Sequence, residues 1–238
     1  MNAATAPLLD VHGLHAFYGE SHVLHGVDFE VHEGELVTLL GRNGAGRTST
    51  LRALMGLVGR RHGRLRFAGQ DIASAPPHAI ARLGIGYCPE ERGIFSTLTA
   101  EENLMLPPKM SGRAGMPVDE IYAMFPQLHE RRASPGTRLS GGEQQMLALA
   151  RILRTGARLL LLDEITEGLA PVIVQALGRA IETLKKRGYT IVLVEQNFRF
   201  AAPLADRHYV LEHGRVVATV PKAELAARTP MLNQLLGV

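Results

Sequence analysis

The chain has 238 residues, which is long enough for one large domain, or one domain with a sub-domain, that buries its own core. Hydrophobic residues make up 46% and charged residues 21%, as in ordinary soluble globular proteins. The net charge is only +3 and the two signs are interspersed, so we expect no nucleic-acid partner. The single cysteine, Cys88, excludes an intrachain disulfide and a Cys-x-x-Cys metal site, and indicates a reducing compartment.

Nothing in the sequence predicts a membrane-spanning or secreted segment. Uninterrupted aliphatic runs such as residues 159–162 are far shorter than the roughly 20 apolar residues that cross a bilayer. Residues 1–10 lack the basic region and apolar core of a secretory signal. A role at a membrane would therefore require docking onto another protein.

The first part of the chain alternates between strand and helix patterns. Strands are predicted over residues 8–18, 23–31, 35–40, 63–67 and 85–88, and helices over 48–56 and 76–83. From residue 91 to about 138 the strand signals vanish, and prolines and glycines separate short helical pieces; these residues are Pro107, Pro108, Gly112, Gly115 and Pro117. We interpret this stretch as a helical sub-domain.

The last part of the chain returns to the alternating pattern. Helices are predicted over residues 141–154 and 172–187, strands over 158–162, 190–194, 208–212 and 215–219, and two short helices at the end. This order indicates an α/β core with a largely parallel sheet. We predict one domain over residues 1–238, in which 1–90 and 155–238 form a core with a β sub-domain and 91–154 form the helical sub-domain.

The strongest motif, GRNGAGRT, runs from Gly41 to Thr48 between a predicted strand and a predicted helix. Its glycines let backbone N–H groups turn toward phosphate oxygens, and the helix start adds a positive dipole end. Thr48 offers a hydroxyl to Mg²⁺. The alternative is a glycine-rich turn without a ligand, which the flanking strand and helix disfavour.

Arg47 stands where this phosphate-binding pattern has lysine. An arginine keeps the charge but is longer, planar and forked. Because positioning supplies most of the catalysis in phosphoryl transfer, we expect Arg47 to alter the rate of turnover more than nucleotide affinity.

A second motif is the aliphatic run that ends in Asp163 and Glu164. Parallel sheets bind ligands at the carboxyl ends of their strands, so Asp163 is placed to hold Mg²⁺ and Glu164 to polarise an attacking water. The alternative is a buried strand that runs into a solvated acidic turn. The phosphate-binding motif favours the functional interpretation.

The third motif, LSGGEQQ, leads an apolar-periodic helix and contains Ser140, Gly141 and Gly142. Ser140 can cap the helix, and the two glycines expose its N-terminal amides, which predicts a second anion site. Taken alone, the segment could equally be an ordinary helix start.

In this order the three motifs resemble the ATP-binding subunit of an ABC transporter, for which LSGGEQQ is a highly specific signature. The resemblance covers nearly the whole chain. It implies a P-loop NTPase (RecA-like) core with an antiparallel β sub-domain and a helical sub-domain, and ATP and Mg²⁺ as ligands.

The resemblance also implies roles for particular residues. Tyr18 would stack on adenine, although it could instead be an aromatic residue at the edge of the core. The phosphates would bind Gly41, Asn43, Gly44, Ala45, Gly46, Arg47, Thr48 and Ser49. Ser140, Gly141 and Gly142 would contact the γ-phosphate bound to an opposite subunit, toward which residues 166–170 would cross. Mg²⁺ would bind Thr48, Glu90 and Asp163, and catalysis would involve Glu164, Gln196 and Arg47.

Two positions indicate one branch of this family. Glu90 and Gln196 replace the usual glutamine and histidine, as in the second ATPase component of branched-chain amino-acid uptake systems, which residues 98–104, 167–171 and 205–207 also resemble. Two departures from that branch are Arg47 and Ile165, which stands where proline usually follows the Asp-Glu pair. Because Ile165 lacks the fixed φ of proline, we expect a looser loop around Glu164 and an effect on hydrolysis rate rather than on fold.

The resemblance implies an ATP-hydrolysing subunit that energises an importer through ATP-driven dimer closure. Its partners would be permease subunits, a related ATPase or a second copy of the chain and, indirectly, an external solute-binding protein, at the cytoplasmic face of the membrane. Branched-chain amino acids are the first candidate solutes; urea, short amides and other small amino acids stay open. One alternative is a non-hydrolysing partner subunit with a degenerate site. A soluble ABC ATPase acting on DNA or ribosomes is disfavoured, because the chain lacks a long heptad insert and tandem domains.

Two further patterns favour structural interpretations. The ten histidines show no metal-ligand spacing, so solvated or core-edge positions are expected. The basic run Arg60, Arg61, Arg64 and Arg66 is interpreted as a solvated face rather than a phospholipid or nucleic-acid patch.

Overall fold

The computed structural model describes residues 6–108 and 114–237. Residues 1–5 and Gly112, on which some of the predictions fall, lie outside the described residues. The strands are β1 (Leu9–Tyr18), β2 (Ser21–Val31), β3 (Leu36–Leu40), β4 (Arg60–Phe67), β5 (Gln70–Asp71), β6 (Ile85–Cys88), β7 (Leu159–Asp163), β8 (Thr190–Val194), β9 (Arg207–Glu212) and β10 (Arg215–Pro221). The helices are α1 (Arg47–Leu54), α2 (Pro77–Arg82), α3 (Ala100–Met105), α4 (Val118–Met124), α5 (Pro126–Glu130), α6 (Gly141–Arg154), α7 (Pro171–Lys186), α8 (Phe198–Leu204) and α9 (Leu225–Leu236), with 3₁₀ turns at Gly136–Arg138 and Lys222–Glu224.

The strands form two sheets. An antiparallel sheet has the order β2-β1-β4-β5, and a six-stranded sheet has the order β10-β9-β3-β8-β7-β6. Within the larger sheet every neighbouring pair is parallel except β9 and β10. Strands β3, β7 and β8 are buried along their whole length, as expected for aliphatic strands covered on both faces. Their carboxyl ends therefore meet at one edge of the sheet.

The core lies on both faces of this sheet because successive side chains of a strand point to opposite sides. Leu160 and Leu162 of β7 pack in a cluster with α6 and α7. Leu159 and Leu161 pack in a second cluster, shared with α1 and the antiparallel sheet. Strand β7 is therefore held from both sides, and its last residue, Asp163, has a fixed position.

Helices and turns connect β6 to β7. Helix α6 begins with a capping box in which the Ser140 hydroxyl accepts from the Glu143 N–H and the Glu143 carboxylate accepts from the Ser140 N–H. Its apolar side packs on the sheet through Met146, Leu149 and Leu153. The predicted division into sub-domains at residues 91 and 155 stays a prediction.

The structure differs from the sequence prediction in several elements, among them strand β5, which was not predicted. Helix α8 was not predicted, because it is short and contains Pro203, a residue typical of helix ends. The tail forms a 3₁₀ turn and one 12-residue helix, α9, instead of two short helices, although Pro230 lies inside α9. Strand β4 begins at Arg60, three residues before the predicted start, because the pairing with β1 continues through Gly63.

The interpretation of the basic run as a solvated face is wrong for Arg61. Its guanidinium is about half-buried and donates hydrogen bonds to backbone carbonyls at the end of α1 and in the loop between β5 and α2, those of Ala53, Leu54, Ile72, Ala73 and Ala75. The side chain therefore connects the C-terminal end of α1 to the loop between β5 and α2, and supplies a donor to helix-end carbonyls.

Four histidines that are separated in the sequence lie together on the antiparallel sheet. The rings of His15 and His62 stack with centroids 4.7 Å apart, and His22 lies 5.1 Å from His15 and 4.0 Å from His25. The pairing of β1 with β2 and with β4 brings them to one face. Within residues 6–108 and 114–237, no group of His, Cys, Asp and Glu side chains is arranged to hold a metal ion.

Candidate active site

The loop between β3 and α1 contains the GRNGAGRT motif and packs tightly against its surroundings. Gly46 precedes α1 in the left-handed region, with φ +104°. A Cβ atom on Gly46 would lie 2.8 Å from the Leu24 side chain, and one on Gly41 would lie 2.5 Å from the Leu211 carbonyl oxygen. Both positions therefore require glycine for close backbone approach. The loop is pressed against β2 and β9 and leads directly into the first turn of α1.

A cleft of about 440 Å³ opens beside this loop. It is lined by Val23, Asn43, Gly44, Ala45, Gly46, Arg47, Thr48, Ser49, Glu90, Glu164 and Glu167. The topology thus brings together residues from the phosphate-loop motif, the end of β6 and the end of β7, and the phosphate loop and the end of β7 are more than 100 residues apart in the chain. All of the lining residues except Val23 and Glu167 were predicted from the sequence as site residues.

Asp163 lies at the floor of this region and is fully buried. Its Oδ1 accepts a hydrogen bond from the Thr48 hydroxyl at 3.0 Å, and its Oδ2 accepts one from the Tyr87 hydroxyl at 2.9 Å. Burial raises the pKa of Asp163 to about 6, although both hydrogen bonds favour the charged form. Together with Glu90, these oxygens are ligands that Mg²⁺ prefers, so the residues present fit this ion.

Arg47 folds back over the loop instead of extending into the cleft. Its guanidinium donates to the Gly41 carbonyl, to Asn43 Oδ1 at 3.3 Å and to Glu164 Oε1 at 2.5 Å. The Arg47 side chain is 4% exposed and that of Glu164 is 11% exposed. The cation predicted to bind phosphate therefore forms a nearly buried ion pair with the carboxylate predicted to act as the base.

Glu164 is held in an uncommon backbone conformation. Its φ of +46° lies in the left-handed region, which costs a non-glycine residue about 1 kcal/mol or more. Its carboxylate also interacts with Glu167, and this hydrogen bond raises the pKa of Glu167. Three carboxylates, Glu90, Glu164 and Glu167, therefore border the cleft opposite the phosphate loop.

The structure does not bring every predicted site residue to this cleft. The described residues that line the cleft do not include Tyr18, Gln196 or the LSGGEQQ segment. Tyr18 ends β1, and Gln196 is exposed after β8. Gly142 lies at the start of α6, where a Cβ atom would meet Ile173 at 2.8 Å. The roles of these residues toward nucleotide stay predictions.

Sequence reasoning missed four residues that shape the site: Val23, Tyr87, Glu167 and Glu195. Glu195 is the clearest case, because it directly follows β8, the strand beside β7. The criterion that selected Asp163, a carboxylate at the end of a buried strand, selects Glu195 as well. Tyr87 carried no comparable signal, since only the pairing of β6 with β7 places its hydroxyl against Asp163.

Comparisons with known proteins show the family to which the chain belongs. The model of a family described as ABC transporter matches residues 24–167. The chain is 42% identical to the high-affinity branched-chain amino acid transport ATP-binding protein BraG of Pseudomonas aeruginosa, over 93% of this chain and 96% of that protein. It is 32% identical to the lipopolysaccharide export system ATP-binding protein LptB of Acidithiobacillus ferridurans, over 96% of this chain and 95% of that protein.

Solved structures show the same fold. A structure described as the ATP-binding subunit of an ABC transporter is 28% identical and superposes with a TM-score of 0.79, covering 97% of this chain and 100% of that chain. A nucleotide-free ATP-binding cassette from an ABC transporter, 20% identical, superposes with a TM-score of 0.83 over 98% of this chain and 99% of that chain.

The site consists of strand β3, a glycine-rich loop and helix α1, which face the carboxylates at the end of β7. This arrangement defines a nucleotide-binding module of the P-loop class. The chain belongs to the ABC transporter family, as one of its ATP-binding subunits. The predicted family, fold class and ATPase function are confirmed, and the comparisons give no support to a non-hydrolysing subunit with a degenerate site. No helix in the described part of the chain is long and apolar enough to cross a membrane.

Proposed function

We propose that the chain hydrolyses ATP to energise a membrane importer for branched-chain amino acids or similar small polar solutes. The observation that carries this proposal is the 42% identity, over nearly the full length of both chains, to a branched-chain amino acid transport ATP-binding protein. A probable branched-chain amino acid transport ATP-binding protein, LivF of Archaeoglobus fulgidus, is 33% identical over 94% of this chain. Glu90 and Gln196, which match this branch of the family, support the same assignment.

In this proposal the phosphate loop binds the triphosphate of ATP through its backbone amides and the start of α1. Arg47 leaves Glu164 and turns to the phosphate oxygens, which frees the carboxylate. Thr48, Asp163 and Glu90 would hold Mg²⁺, which neutralises charge on the phosphates when bound. Glu164 then accepts a proton from the water that attacks the γ-phosphate, while the bond to the β-phosphate oxygen breaks and ADP leaves. The hydrogen bond from Thr48 keeps Asp163 in place.

A second subunit completes the site. The cleft is open, and the Ser140-Gly141-Gly142 segment of the same chain does not line it. The corresponding segment of an opposing subunit, either a related ATPase or a second copy, would contact the γ-phosphate. ATP that binds the closed pair more tightly than the open pair would drive closure. The permease would dock near the groove lined by Arg92 and Arg151, where the Arg151 guanidinium lies over the ring of the exposed Phe95. The assembly would lie at the cytoplasmic face of the membrane.

Transport by the assembled system tests the solute assignment. The chain would be reconstituted with its companion ATPase, permease subunits and solute-binding protein in vesicles that enclose ATP and Mg²⁺. We expect uptake of labelled leucine that depends on internal ATP and is lost with Glu164→Gln. Uptake of urea or short amides without leucine uptake would contradict the branched-chain assignment, and absence of any ATP-dependent uptake would contradict an importer.

A further inference from the structure

Glu195 is a buried carboxylate to which the ATPase mechanism gives no role. It follows β8 directly and is only 2% exposed. Its Oε1 accepts from the backbone N–H of Thr166 at 3.1 Å, and the Thr166 hydroxyl lies 3.0 and 2.9 Å from its two carboxylate oxygens. The contact therefore joins the end of β8 to the turn that follows β7.

This turn carries Glu164. At its other end, the Glu164 N–H donates to the Val194 carbonyl at 2.9 Å. The first and last residues of the Glu164–Thr166 turn are thus both hydrogen-bonded to the end of β8. Glu164 itself has a left-handed backbone conformation. Ile165, in the middle, is 1% exposed and contributes apolar packing but no fixed backbone angle.

Stability alone gives little reason for a carboxylate at this position. No lysine or arginine forms an ion pair with Glu195 within the described residues. Burial raises the pKa of Glu195 to about 7, and the nearby charge of Glu164 acts in the same direction. A buried carboxylate without an ion-pair partner costs free energy unless hydrogen bonds compensate. Here the hydrogen bonds come from Thr166 and from the backbone N–H of Asn197.

We propose that Glu195 is a positioning residue for ATP hydrolysis. Its contact with Thr166 restricts the Glu164–Thr166 turn, which in this chain lacks the proline that usually stands at position 165. The inference rests on the proposed ATPase function. Glu195 acts through Thr166 on the orientation of Glu164, and the same contact sets the start of residues 166–170, the segment that would cross to the opposing subunit. Since Glu195 does not line the phosphate cleft, it affects the chemical step without contributing to ATP affinity.

The test compares Thr166→Val, Thr166→Ser and Glu195→Gln in the full-length chain assembled with its companion ATPase. Thr166→Val keeps the shape of the side chain but removes the hydroxyl, whereas Thr166→Ser keeps the hydroxyl. We expect kcat for ATP to fall about 10- to 100-fold in Thr166→Val and Glu195→Gln, since small displacements of a catalytic group have effects of this size. KM should stay within about twofold, and Thr166→Ser should resemble the wild type.

Two combined variants make the assignment specific. Because both single changes weaken the same contact between residues 195 and 166, the double variant Glu195→Gln with Thr166→Val should be no slower than the slower single variant. Adding Ile165→Pro to Glu195→Gln should restore part of kcat by restricting the turn directly.

Wild-type kcat in Thr166→Val, a loss in KM instead of kcat, or multiplicative losses in the double variant would overturn the inference. Melting temperatures close to the wild type show that the variants fold. If the assembled wild-type chain itself binds ATP without hydrolysing it, the proposed function is contradicted. This result differs from one in which the wild type hydrolyses ATP and Thr166→Val does so equally well, which contradicts only the inference about Glu195.

Discussion

The ion pair between Arg47 and Glu164 should oppose nucleotide binding. Arg47 is held by the Gly41 carbonyl and by Glu164, and both side chains of the pair are nearly buried. ATP must displace this contact before Arg47 can reach its phosphates. Glu164→Gln weakens the contact because a neutral amide replaces the charged partner, so it should tighten nucleotide binding.

The size of this effect follows from the geometry. At 2.5 Å, the Arg47–Glu164 hydrogen bond is short and charge-assisted. Hydrogen bonds to charged groups contribute about 1.5–3 kcal/mol, and those between neutral groups about 0.5–1.5 kcal/mol. The difference of about 1–1.5 kcal/mol corresponds to roughly tenfold tighter binding in Glu164→Gln.

Glu164→Gln also removes repulsion between a carboxylate and the γ-phosphate, so a double-mutant cycle is needed. Dissociation constants for ADP and for a non-hydrolysable ATP analogue would be measured by calorimetry in the wild type, Glu164→Gln, Arg47→Met and the double variant. We expect the roughly tenfold gain in the Arg47 background to shrink to about twofold in Arg47→Met, and to persist with ADP, which lacks the γ-phosphate. An equal gain in both backgrounds would refute the reasoning.

Two more predictions concern the buried acidic strand end. Thr48→Val removes a hydroxyl predicted to bind Mg²⁺, so nucleotide affinity should fall about tenfold with Mg²⁺ and stay unchanged with EDTA; equal losses in both conditions would contradict this role. The pKa of Asp163 in the folded protein, about 6, lies above its ordinary value of 3.8, so its protonated form stabilises the fold at low pH and this stabilisation is lost as pH rises through about 6. Asp163→Asn lacks this titration, so its free energy of unfolding relative to the wild type should rise by about 1 kcal/mol between pH 5 and 7.5 in urea titrations. Parallel pH curves for the two proteins would contradict the raised pKa. Changes common to both proteins, such as titration of the buried His208, cancel in this comparison.

Much of the fold follows from local patterns in the sequence. The aliphatic runs of β3, β7 and β8 are short and bounded by polar residues, which identifies strands buried on both faces. Strand β5, by contrast, has two residues, too few to show any periodicity. Helix α8 is stabilised by the Asn197 cap and by packing of Ala201 and Leu204, and tertiary contacts of this kind override a local Pro203 signal.

The candidate site was predictable where chemistry is concentrated in motifs. The phosphate loop, Asp163 and Glu164 are of this kind. The ion pair that joins Arg47 to Glu164 was not predictable, since it depends on side-chain directions across 117 residues of chain. The same holds for the contact of Glu195 with Thr166, which exists only because β7 and β8 are neighbours.

Mg²⁺-dependent ATP hydrolysis, measured beside ATP binding, tests the central claim most directly. The proteins are the wild type and Glu164→Gln, each alone and with the companion ATPase. We predict that the wild type hydrolyses ATP and that Glu164→Gln loses at least about 100-fold in kcat while it still binds ATP, because a positioned general base contributes about 10²- to 10⁴-fold. ATP binding without turnover in the wild type, or undiminished turnover in Glu164→Gln, would contradict the account.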